Sequence, residues 1–309
     1  MISNYPFPKF AVLLAAYNGA KFINQQISSI LSQENIDLHI YVSIDESIDD
    51  TEICIQKLID LDPRITLLPT GERYGGAAKN FYRLIRDVDL SSYDFISFSD
   101  QDDVWFPQKL SRAYAVLSQG NIDAYSSNVI AFWPDGHRSF VKKSYPQVKW
   151  DFLFEAAGPG CTYVISKPLI LDFQQFIRGK WNEVQNIGLH DWFIYAFARA
   201  NSYKWIIDET PGMLYRQHEN NEVGVNKGIK AIQYRAHKIF SGWAFSQSLL
   251  IADLVGFKRG LSGHFHLESS RFSYFKLAFF STQCRRRLRD RFFFVFSCLI
   301  MCAVAGKSK

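Results

Sequence analysis

The sequence Ser99-Asp100-Gln101-Asp102-Asp103 follows an apolar run at residues 93–98 and precedes Pro107. Three carboxylates within four positions repel one another, and holding them together at the end of a buried strand requires a positive charge between them. If the run is a strand, Asp100 and Asp102 project to the same side and could bind one divalent cation. The same spacing is typical of a helix start, with Asp103 as the N-cap residue and Pro107 in the first turn. The stretch alone favours neither interpretation.

The residues before this stretch alternate between strand and helix patterns. Apolar runs predict strands at residues 10–16, 39–45, 65–68 and 93–99. Apolar residues at helical spacing predict helices after Gly19, from Thr51 and over residues 77–85. This alternation predicts an α/β fold with a mostly parallel sheet flanked by helices. Ligands of such sheets bind beyond the carboxyl ends of the strands, where we expect Asn18, Asp45 and the acidic stretch to meet.

Composition and charge restrict the class of protein. The 309 residues suffice for one catalytic domain and an appendage, and an apolar fraction of 48% is ample for a core. The net charge is +5, and the basic residues are concentrated after residue 227. The five cysteines form no metal-binding repeat, which favours a reducing compartment, and we expect no secretory signal in residues 1–9. Because no P-loop or dinucleotide-binding glycine motif is present, a cation is expected to hold the phosphates of a bound nucleotide.

Several motifs together resemble the inverting family 2 glycosyltransferases of the GT-A fold. They are Ala15-Ala16-Tyr17-Asn18-Gly19, then Val42-Ser43-Ile44-Asp45 with Asp49-Asp50-Thr51, then Asp100-Gln101-Asp102-Asp103. Two further groups of residues are similar to bacterial rhamnosyltransferases that build surface polysaccharides: Val104-Trp105, Pro107 and Lys109-Leu110, and Tyr215-Arg216-Gln217-His218 with Asn221 and Gly224. Ile44 and Glu46 depart from the family pattern, which often has Asp and Gly there.

This resemblance implies a GT-A catalytic domain over residues 1–225. The apolar pattern beyond it predicts a helical C-terminal region over residues 226–309. It implies transfer of a sugar, for which L-rhamnose from dTDP-L-rhamnose is the preferred interpretation, to a glycan acceptor with Mg²⁺ or Mn²⁺ as cofactor. A galactosyl- or glucosyltransferase that uses a UDP-sugar is one alternative. A non-catalytic scaffold that binds a nucleotide-sugar or a glycan is another.

The resemblance also implies roles for the residues of the donor site. Asp45 is expected to accept a hydrogen bond from the imide N–H of uracil or thymine, although a turn Asp at a strand end has the same pattern. Asp100 and Asp102 are expected to bind the cation with His218 as an additional ligand, and Asp103 to serve the sugar or a helix cap. The other nucleotide-sugar-binding candidates are Ala16, Tyr17, Asn18, Lys79, Asn80, Gln101 and Arg216. A solvated helix face for Lys79 and a surface ion pair for Arg216 remain open.

Residues of the second half are expected to supply the acceptor site and the general base. An inverting transfer needs a carboxylate that takes the proton of the acceptor hydroxyl. The resemblance indicates Asp191, although an acidic residue at the start of a predicted helix also interacts favourably with the helix dipole. The acceptor-binding candidates are Gly158, Gly160, Cys161, His190 and Trp192, and a structural role for His190 remains open.

The C-terminal region combines a helical pattern at residues 229–252 with a basic and apolar tail. Arg285-Arg286-Arg287, Arg289 and Arg291 precede an apolar stretch at residues 292–306. This stretch is shorter than the roughly 20 residues that span a bilayer, so we expect a helix in the interface of an anionic membrane. A helix packed on the core or in a homodimer is the alternative, and the arrangement of the arginines argues against nucleic-acid binding. With a lipid-linked or polysaccharide acceptor, the expected location is the cytoplasmic face of the bacterial inner membrane, as a peripheral protein.

Overall fold

Residues 7–218, 242–257 and 270–304 are described here from a computed structural model. The chain divides into two compact units. The first unit contains Met1–Ser144, Gly158–Asp191 and Tyr203–Gly224. The second contains Tyr145–Ala157, Trp192–Ser202 and Val225–Lys309.

Within the described residues, the first unit contains two sheets. A seven-stranded sheet has the order β10-β6-β9-β4-β1-β2-β3, and a four-stranded sheet has the order β5-β11-β7-β8. The strands are β1 Lys9–Ala16, β2 Asp37–Ile44, β3 Ile65–Leu67, β4 Phe95–Ser99, β5 Val104–Trp105, β6 Ala124–Ser127, β7 Val129–Phe132, β8 Arg138–Val141, β9 Val164–Ser166, β10 Trp205–Asp208 and β11 Met213–Arg216. All neighbours in the larger sheet are parallel except β9, which runs antiparallel to β4 and β6. The mostly parallel sheet predicted from the sequence is therefore confirmed.

The helices of the described residues flank the sheet in the first unit and make up most of the second. They are α1 Ile23–Leu31, α2 Thr51–Leu61, α3 Ala77–Asp87, α4 Lys109–Leu117, α5 Lys167–Gly179, α6 Trp181–Val184, α7 His190–Ala200, α8 Trp243–Leu254, α9 Arg271–Phe279, α10 Ser281–Cys284 and α11 Leu288–Val304. Two 3₁₀ turns occur at Asp151–Leu153 and Gly160–Thr162. The division between the units falls after Asp191, within α7.

The core of the first unit forms where the sequence is continuously apolar. The run at residues 10–16 becomes β1, which is buried along that run and pairs with β2 on one side and β4 on the other. Both faces of such a strand are covered by helices, which explains why the run does not alternate with polar residues. Ile23, Ile27 and Ile30 of α1 are buried in the same core. The four strands and three helices predicted for the first hundred residues are confirmed.

The reversed direction of β9 decides which loops meet at the edge of the sheet. In the pairing with β4, Ser97 faces Val164 and Phe95 faces Ser166. The residues just before β9 therefore lie at the same edge as the residues just after β4. This places the segment at residues 158–163 beside the acidic stretch at residues 100–103.

The helices of the second unit include the basic and apolar tail. The predicted helix at residues 229–252 lies partly outside the described residues, and its described part corresponds to α8. The apolar stretch lies on α11, which packs against α9. Among the described residues, none of the helices is both long and apolar enough to cross a membrane.

Arg286 binds acidic groups of the second unit. Its Nε lies 3.2 Å from Glu155 Oε1 and 3.6 Å from Asp151 Oδ2. Asp151 is fully buried and also lies 3.1 Å from Arg199 Nη1. Arg286 is thus part of a buried ion-pair network and does not face lipid, contrary to the expectation that all five arginines of the tail do so.

Candidate active site

The acidic stretch forms the turn between β4 and β5. Helix α4 begins only at Lys109, with Gln108 as its N-cap residue, so of the two alternatives for Asp103 the helix cap is wrong. Asp103 is fully buried instead, and its Oδ1 accepts a hydrogen bond of 3.0 Å from the backbone N–H of Arg216 at the end of β11. The sequence between Asp103 and α4 turns back as an edge strand that pairs with β11.

Asp103 has the surroundings of a cation ligand. Its Oδ2 has no hydrogen-bond partner among the described residues, apart from a weak contact of the carboxyl group with the Cys161 thiol. Burial, then repulsion from Asp102 and Asp100, raises the pKa of Asp103 well above its usual range. Ligand atoms of Asp100, Asp103 and Cys161 lie within 4.8 Å of one another. Converging carboxylates with a free buried oxygen fit a hard divalent cation such as Mg²⁺ or Mn²⁺.

The Cys161 thiol fits such a cation less well than the carboxylates do. Burial, followed by repulsion from Asp103 and Asp100, raises the pKa of this thiol well above its usual range. The thiol therefore keeps its proton at neutral pH, and a protonated thiol is a poor ligand for hard cations. Cys161 affects the shape and polarity of the cluster through its contact with the Asp103 carboxyl group.

Asp102 pairs with His218 at the end of the described part of the first unit. The Nε2 atom of His218 lies 2.7 Å from Asp102 Oδ2, and its ring stacks on Phe22 with the centroids 5.2 Å apart. Asp102 is 8% exposed. The structure thus brings together the two predicted cation ligands Asp102 and His218, whereas Asp100 lies beside Asp103 and Cys161.

Arg216 is anchored beside this pair. Its Nε donates to the backbone carbonyl of Asp102 at 2.6 Å, and Nη2 donates to Gln25 Oε1 at 2.6 Å. The guanidinium group lies over the rings of Phe22 and Phe132 at 4.6 and 4.5 Å from their centroids. Because these contacts fix a cation next to the acidic turn, Arg216 is placed to meet an anionic ligand there.

Asp45 holds the loop that follows β3. The Oδ1 atom accepts the backbone N–H groups of Glu46 at 3.0 Å and Tyr74 at 2.6 Å. The Oδ2 atom accepts those of Gly75 at 2.8 Å and Gly76 at 3.3 Å. These four hydrogen bonds occupy most of the acceptor capacity of a carboxylate. A base that bonds to Asp45 has to replace or share one of them.

The loop after β1 is tied to the acidic turn on one side and to the Asp45 loop on the other. Gln101 accepts the backbone N–H of Tyr17 at 2.7 Å and donates to its carbonyl at 2.8 Å. Asn18 accepts the N–H of Ile48 at 2.9 Å and donates its own N–H to Ser47 Oγ at 3.0 Å. Three loops at the carboxyl ends of β1, β2 and β4 therefore form one connected rim. The Tyr17 side chain remains 54% exposed on this rim.

Asn80 and Lys79 occupy different positions on α3. Asn80 is 2% exposed, donates to the carbonyls of Ala16 at 3.3 Å and Ser43 at 3.1 Å, and accepts from Ser43 Oγ. Asn80 thus ties the ends of β1 and β2 together. Lys79, the preceding residue of the helix, is half-buried.

Gly160 connects the acidic turn with Asp191. A Cβ atom at Gly160 would lie 2.5 Å from His190 Nε2 and 3.2 Å from Asp191 Cβ, so glycine permits this close approach. The next residue, Cys161, contacts Asp103. The partly exposed Asp191 also contributes, after burial, to the raised pKa of Tyr82. Consecutive residues therefore link the candidate base to the candidate cation site.

His190 is packed into the core beside Asp191. Its ring stacks on Phe81 with the centroids 4.0 Å apart, and it is 8% exposed. Burial lowers the pKa of His190 to about 3, so the ring is neutral at physiological pH. The packing fixes the start of α7 and leaves little of the ring accessible to an acceptor.

Two other acceptor-binding candidates are buried. Gly158 accepts a hydrogen bond of 3.2 Å from the hydroxyl of Tyr163. Trp192, in the second unit, is 5% exposed, and its indole N–H donates to the carbonyl of Phe152 at 2.9 Å. Both residues have clear structural contacts in addition to the expected role.

Lys109 is a buried cation to which the sequence analysis gave no role. Its Nζ atom donates to Ser97 Oγ at 3.2 Å and lies 3.4 Å from the centroid of the Trp105 ring. Burial lowers the pKa of Lys109 to about 7, against the opposing influence of Cys161 and Asp103. The available signal was its spacing, because Lys109 lies four residues before the buried Ala113 on the same face of α4.

The comparisons with known proteins agree with one another. Residues 11–170 match the family described as "Glycosyl transferase family 2". The chain is 46% identical to "dTDP-rhamnosyl transferase RfbG" of Shigella flexneri over 243 residues, which are 78% of this chain and 84% of that protein. It is 30% identical over 166 residues to "UDP-Glc:alpha-D-GlcNAc-diphosphoundecaprenol beta-1,3-glucosyltransferase WfgD" of Escherichia coli, which are 53% of this chain and 62% of that protein.

A solved structure resembles the fold. It is that of "Mannosyltransferase PcManGT from Pyrobaculum calidifontis in complex with GDP-Man and Mn2+", with a TM-score of 0.55. The similarity covers 99% of this chain and 77% of that chain at 14% identity. At this identity the likeness is one of fold alone.

Proposed function

This chain belongs to glycosyl transferase family 2 and is a glycosyltransferase, and we propose that it transfers L-rhamnose from dTDP-L-rhamnose to a glycan in cell-surface polysaccharide synthesis. The observation that carries the donor assignment is the 46% identity to the dTDP-rhamnosyl transferase RfbG over most of both chains. A UDP-glucose donor is the second candidate, favoured by the more distant likeness to WfgD.

We assign the donor to the rim formed by the loops after β1, β2 and β4. Asp45 meets the imide N–H of the base in exchange for one of the backbone N–H groups that it accepts. The other residues proposed for the nucleotide-sugar pocket are Ala16, Tyr17, Asn18, Lys79, Asn80, Gln101 and Arg216. Arg216 contributes a fixed positive charge near the diphosphate.

Enzymes of this fold generally use a divalent cation. In this chain we propose that Mg²⁺ or Mn²⁺ is held by Asp100, Asp102 and His218, with Asp103 completing the acidic cluster. The bound cation would supply charge neutralisation for the departing nucleotide diphosphate.

Asp191 is the proposed general base. It is partly exposed at the start of α7 and lies next to Gly160, one residue from the contact between Cys161 and Asp103. From this position the carboxylate takes the proton of the acceptor hydroxyl as the oxygen attacks the anomeric carbon from the face opposite the nucleotide, which inverts that carbon. The neutral, stacked His190 orients the turn that carries Asp191.

The acceptor is proposed to be a lipid-linked or polysaccharide glycan at the cytoplasmic face of the bacterial inner membrane, where the protein is peripheral. Residues 1–225 form the proposed catalytic domain and residues 226–309 a helical region that associates with the membrane. Gly158, Gly160, Cys161, His190 and Trp192 remain the residues proposed for the acceptor side.

The donor assignment is tested by assaying nucleotide release and product formation with dTDP-L-rhamnose, UDP-glucose and UDP-galactose in the presence of a cation and a lipid-linked acceptor. We expect turnover with dTDP-L-rhamnose and little or none with the UDP-sugars. Turnover with UDP-glucose alone would contradict the donor assignment.

The role of Asp191 is tested by Asp191→Asn, which keeps the size of the side chain and removes the base. General-base catalysis contributes about 10²–10⁴-fold, so transfer should fall by this factor while binding of dTDP is retained. The exposed Asp60 of α2 offers a matched control, and Asp60→Asn should leave transfer unchanged. Equal transfer rates for Asp191→Asn and the unmodified protein would remove Asp191 from this role.

A further inference from the structure

Two helices of the second unit leave large apolar side chains exposed. On α9 they are Phe272, Phe275 and Phe279, and on α11 they are Phe292, Phe293, Phe296 and Leu299. Each of these side chains is between 48% and 73% exposed. We refer to the seven residues as the phenylalanine face.

The spacing of these residues places them in two stripes. Phe272, Phe275 and Phe279 follow the i, i+3, i+7 pattern of one helical face, and Phe292, Phe296 and Leu299 follow i, i+4, i+7. The opposite faces of the same helices are buried through Tyr274 and Leu277 on α9 and through Phe294 and Cys298 on α11. Each helix therefore has two apolar faces, of which one is buried and the other is exposed.

The two stripes belong to one surface. Residues of both helices line a single open groove of about 570 Å³: Arg271, Phe272, Phe275, Leu299, Cys302 and Ala303. With about 150–250 Å² per aromatic side chain, the half-exposed residues present on the order of 700 Å² of apolar surface. Monomeric soluble proteins rarely expose a contiguous apolar patch larger than a few hundred Å², so the phenylalanine face indicates a binding surface.

The charges around this surface have one dominant sign. Between residues 270 and 304 the chain carries five basic residues besides Arg285 and Arg286, which both pair with Glu155: Arg271, Lys276, Arg287, Arg289 and Arg291. Asp290 is the only acidic residue in that segment. The Lys276 ammonium lies 4.3 Å from the centroid of the Phe272 ring, so its charge sits at the edge of the apolar surface.

We propose that the phenylalanine face docks on an anionic lipid bilayer, with α9 and α11 lying along its surface and the basic residues among the headgroups. Helix α11 has 17 residues and a length of about 26 Å at 1.5 Å per residue, which suits a helix in the plane of the interface. Contact with a second copy of the face is disfavoured, because it would bring the two sets of basic residues together, whereas anionic headgroups neutralise them. The inference rests on the proposed location at a membrane and identifies the part of the protein that makes the contact.

The test is co-sedimentation of the full chain with vesicles of phosphatidylglycerol and phosphatidylcholine, without donor or acceptor. We expect binding to vesicles rich in phosphatidylglycerol and at least a tenfold lower apparent partition constant for the double variant Phe292→Ser/Phe296→Ser. Phe292→Leu/Phe296→Leu should retain most of the binding, since it keeps apolar side chains. Arg287→Gln/Arg289→Gln should weaken binding to the anionic vesicles and reduce its dependence on salt.

The matched controls lie on β8 of the first unit. Phe140 is 57% exposed and Arg138 is also exposed, so Phe140→Ser and Arg138→Gln remove comparable side chains elsewhere. Equal vesicle binding by the unmodified protein, Phe292→Ser/Phe296→Ser and Arg287→Gln/Arg289→Gln would overturn the proposal. So would a dimer in solution that Phe292→Ser/Phe296→Ser dissociates, if the unmodified protein does not bind vesicles.

Vesicle binding is measured without sugar transfer, and the donor assay uses the same proteins without vesicles. If the variants Phe292→Ser/Phe296→Ser and Arg287→Gln/Arg289→Gln lose vesicle binding but still bind dTDP, the result supports the docking surface. Failure of the donor assay alone concerns the proposed donor and leaves the vesicle result standing.

Discussion

Lys109 places an ammonium group in the core of the first unit, 3% exposed and within 3.4 Å of the centroid of the Trp105 ring. Its pKa is lowered from 10.5 to about 7, mainly by burial. The native state binds this proton less tightly than the unfolded state does. The protonated lysine therefore lowers the free energy of unfolding, and the whole of this loss is present below pH 7. This effect diminishes as the pH rises from 7 towards 10.5.

We therefore predict that Lys109→Met changes the pH dependence of stability. Between pH 7 and 9 the contribution of Lys109 to the free energy of unfolding should rise by up to about 1.4 kcal/mol per pH unit in the unmodified protein and be absent in the variant. At pH 7 the variant should be at least as stable as the unmodified protein, because methionine fills a similar volume without a charge. Urea unfolding at pH 7, 8 and 9 measures both effects, and parallel pH profiles for the two proteins would contradict the prediction.

At the level of single residues, the sequence indicated which residues lie near the acidic turn better than it indicated their pairings. The partnership of Asp102 and His218 joins residues 116 positions apart, and the family pattern alone suggested that both belong to one site. The contact of Asp103 with Cys161 had no such signal, and local spacing was equally compatible with a helix cap for Asp103. Asp45 accepts four backbone N–H groups because the glycine loop folds back over it, and the sequence of that loop does not specify its path.

At the level of elements, the 3₁₀ turn at Gly160–Thr162 and the start of α7 form a tightly packed pair. We predict that Gly160→Ala lowers the rate of transfer by about 10–100-fold, because the added methyl group collides with His190 and displaces Asp191 by a fraction of an ångström to 1 Å. Binding of dTDP should change little. The measurement is the rate of transfer at saturating donor concentration.

Gly179, the last residue of α5, provides the matched control. A Cβ atom there has no neighbour within 4 Å among the described residues, and its backbone is not left-handed. Gly179→Ala should leave transfer unchanged. If Gly160→Ala were as active as Gly179→Ala, the packing of this turn would not position the base.

A second element-level prediction concerns the 3₁₀ turn at Asp151–Leu153 and the residues that precede α11. Arg286→Met leaves the buried Asp151 and the neighbouring Glu155 with one cation fewer, so we expect a loss of about 3 kcal/mol in the free energy of unfolding. The exposed Arg289 pairs only with its neighbour Asp290 in the described residues, and Arg289→Met should cost less than about 1 kcal/mol. Thermal and urea unfolding measure both variants. Similar losses in the free energy of unfolding for the two variants would mean that the buried network stabilises the protein no more than the exposed ion pair does.

Elements were predictable where local periodicity and turn residues agree. The run at residues 10–16 and the stripe of Ile23, Ile27 and Ile30 show both, and the structure follows them. The reversal of β9 and the four-stranded sheet were not predicted, because strands of two to four residues carry little periodicity and their partners are distant in the chain. The reversal of β9 places residues 158–163 beside the acidic turn at residues 100–103.

For the whole molecule, we predict that dTDP together with Mn²⁺ stabilises the protein. At a concentration 100 times Kd, binding to the native state adds about 2.7 kcal/mol, which raises the unfolding midpoint by roughly 5–10 °C. EDTA should abolish most of the shift if the cation holds the diphosphate. Differential scanning fluorimetry measures the midpoint.

dCDP is the matched control ligand, because it has the same deoxyribose and diphosphate as dTDP but no imide N–H on its base. Its shift should be smaller than that of dTDP if Asp45 recognises the base. The variant Asp45→Asn should reduce the difference between the two nucleotides. Equal shifts for dTDP and dCDP would argue that Asp45 serves only the loop of residues 74–76.

The class of the whole molecule was accessible from the sequence because many weak signals agree. The alternation of strands and helices, the acidic rim and the spacing of the motifs all indicate one α/β glycosyltransferase fold, and the family match confirms it. The role of residues 145–157 in the second unit was not accessible, because it depends on pairs such as Asp151 with Arg286, 135 positions apart.

The buried Cys161 thiol beside Asp103 and Asp100 has a practical consequence for biochemical work on this enzyme. A soft cation such as Cd²⁺ or Zn²⁺ displaces the thiol proton and gains a thiolate ligand, an advantage that Mg²⁺ and Mn²⁺ do not have. We expect traces of such ions to bind to the cluster during purification and to inhibit transfer. Preparations treated with a chelator and a reductant before Mn²⁺ is added should therefore have the higher specific activity.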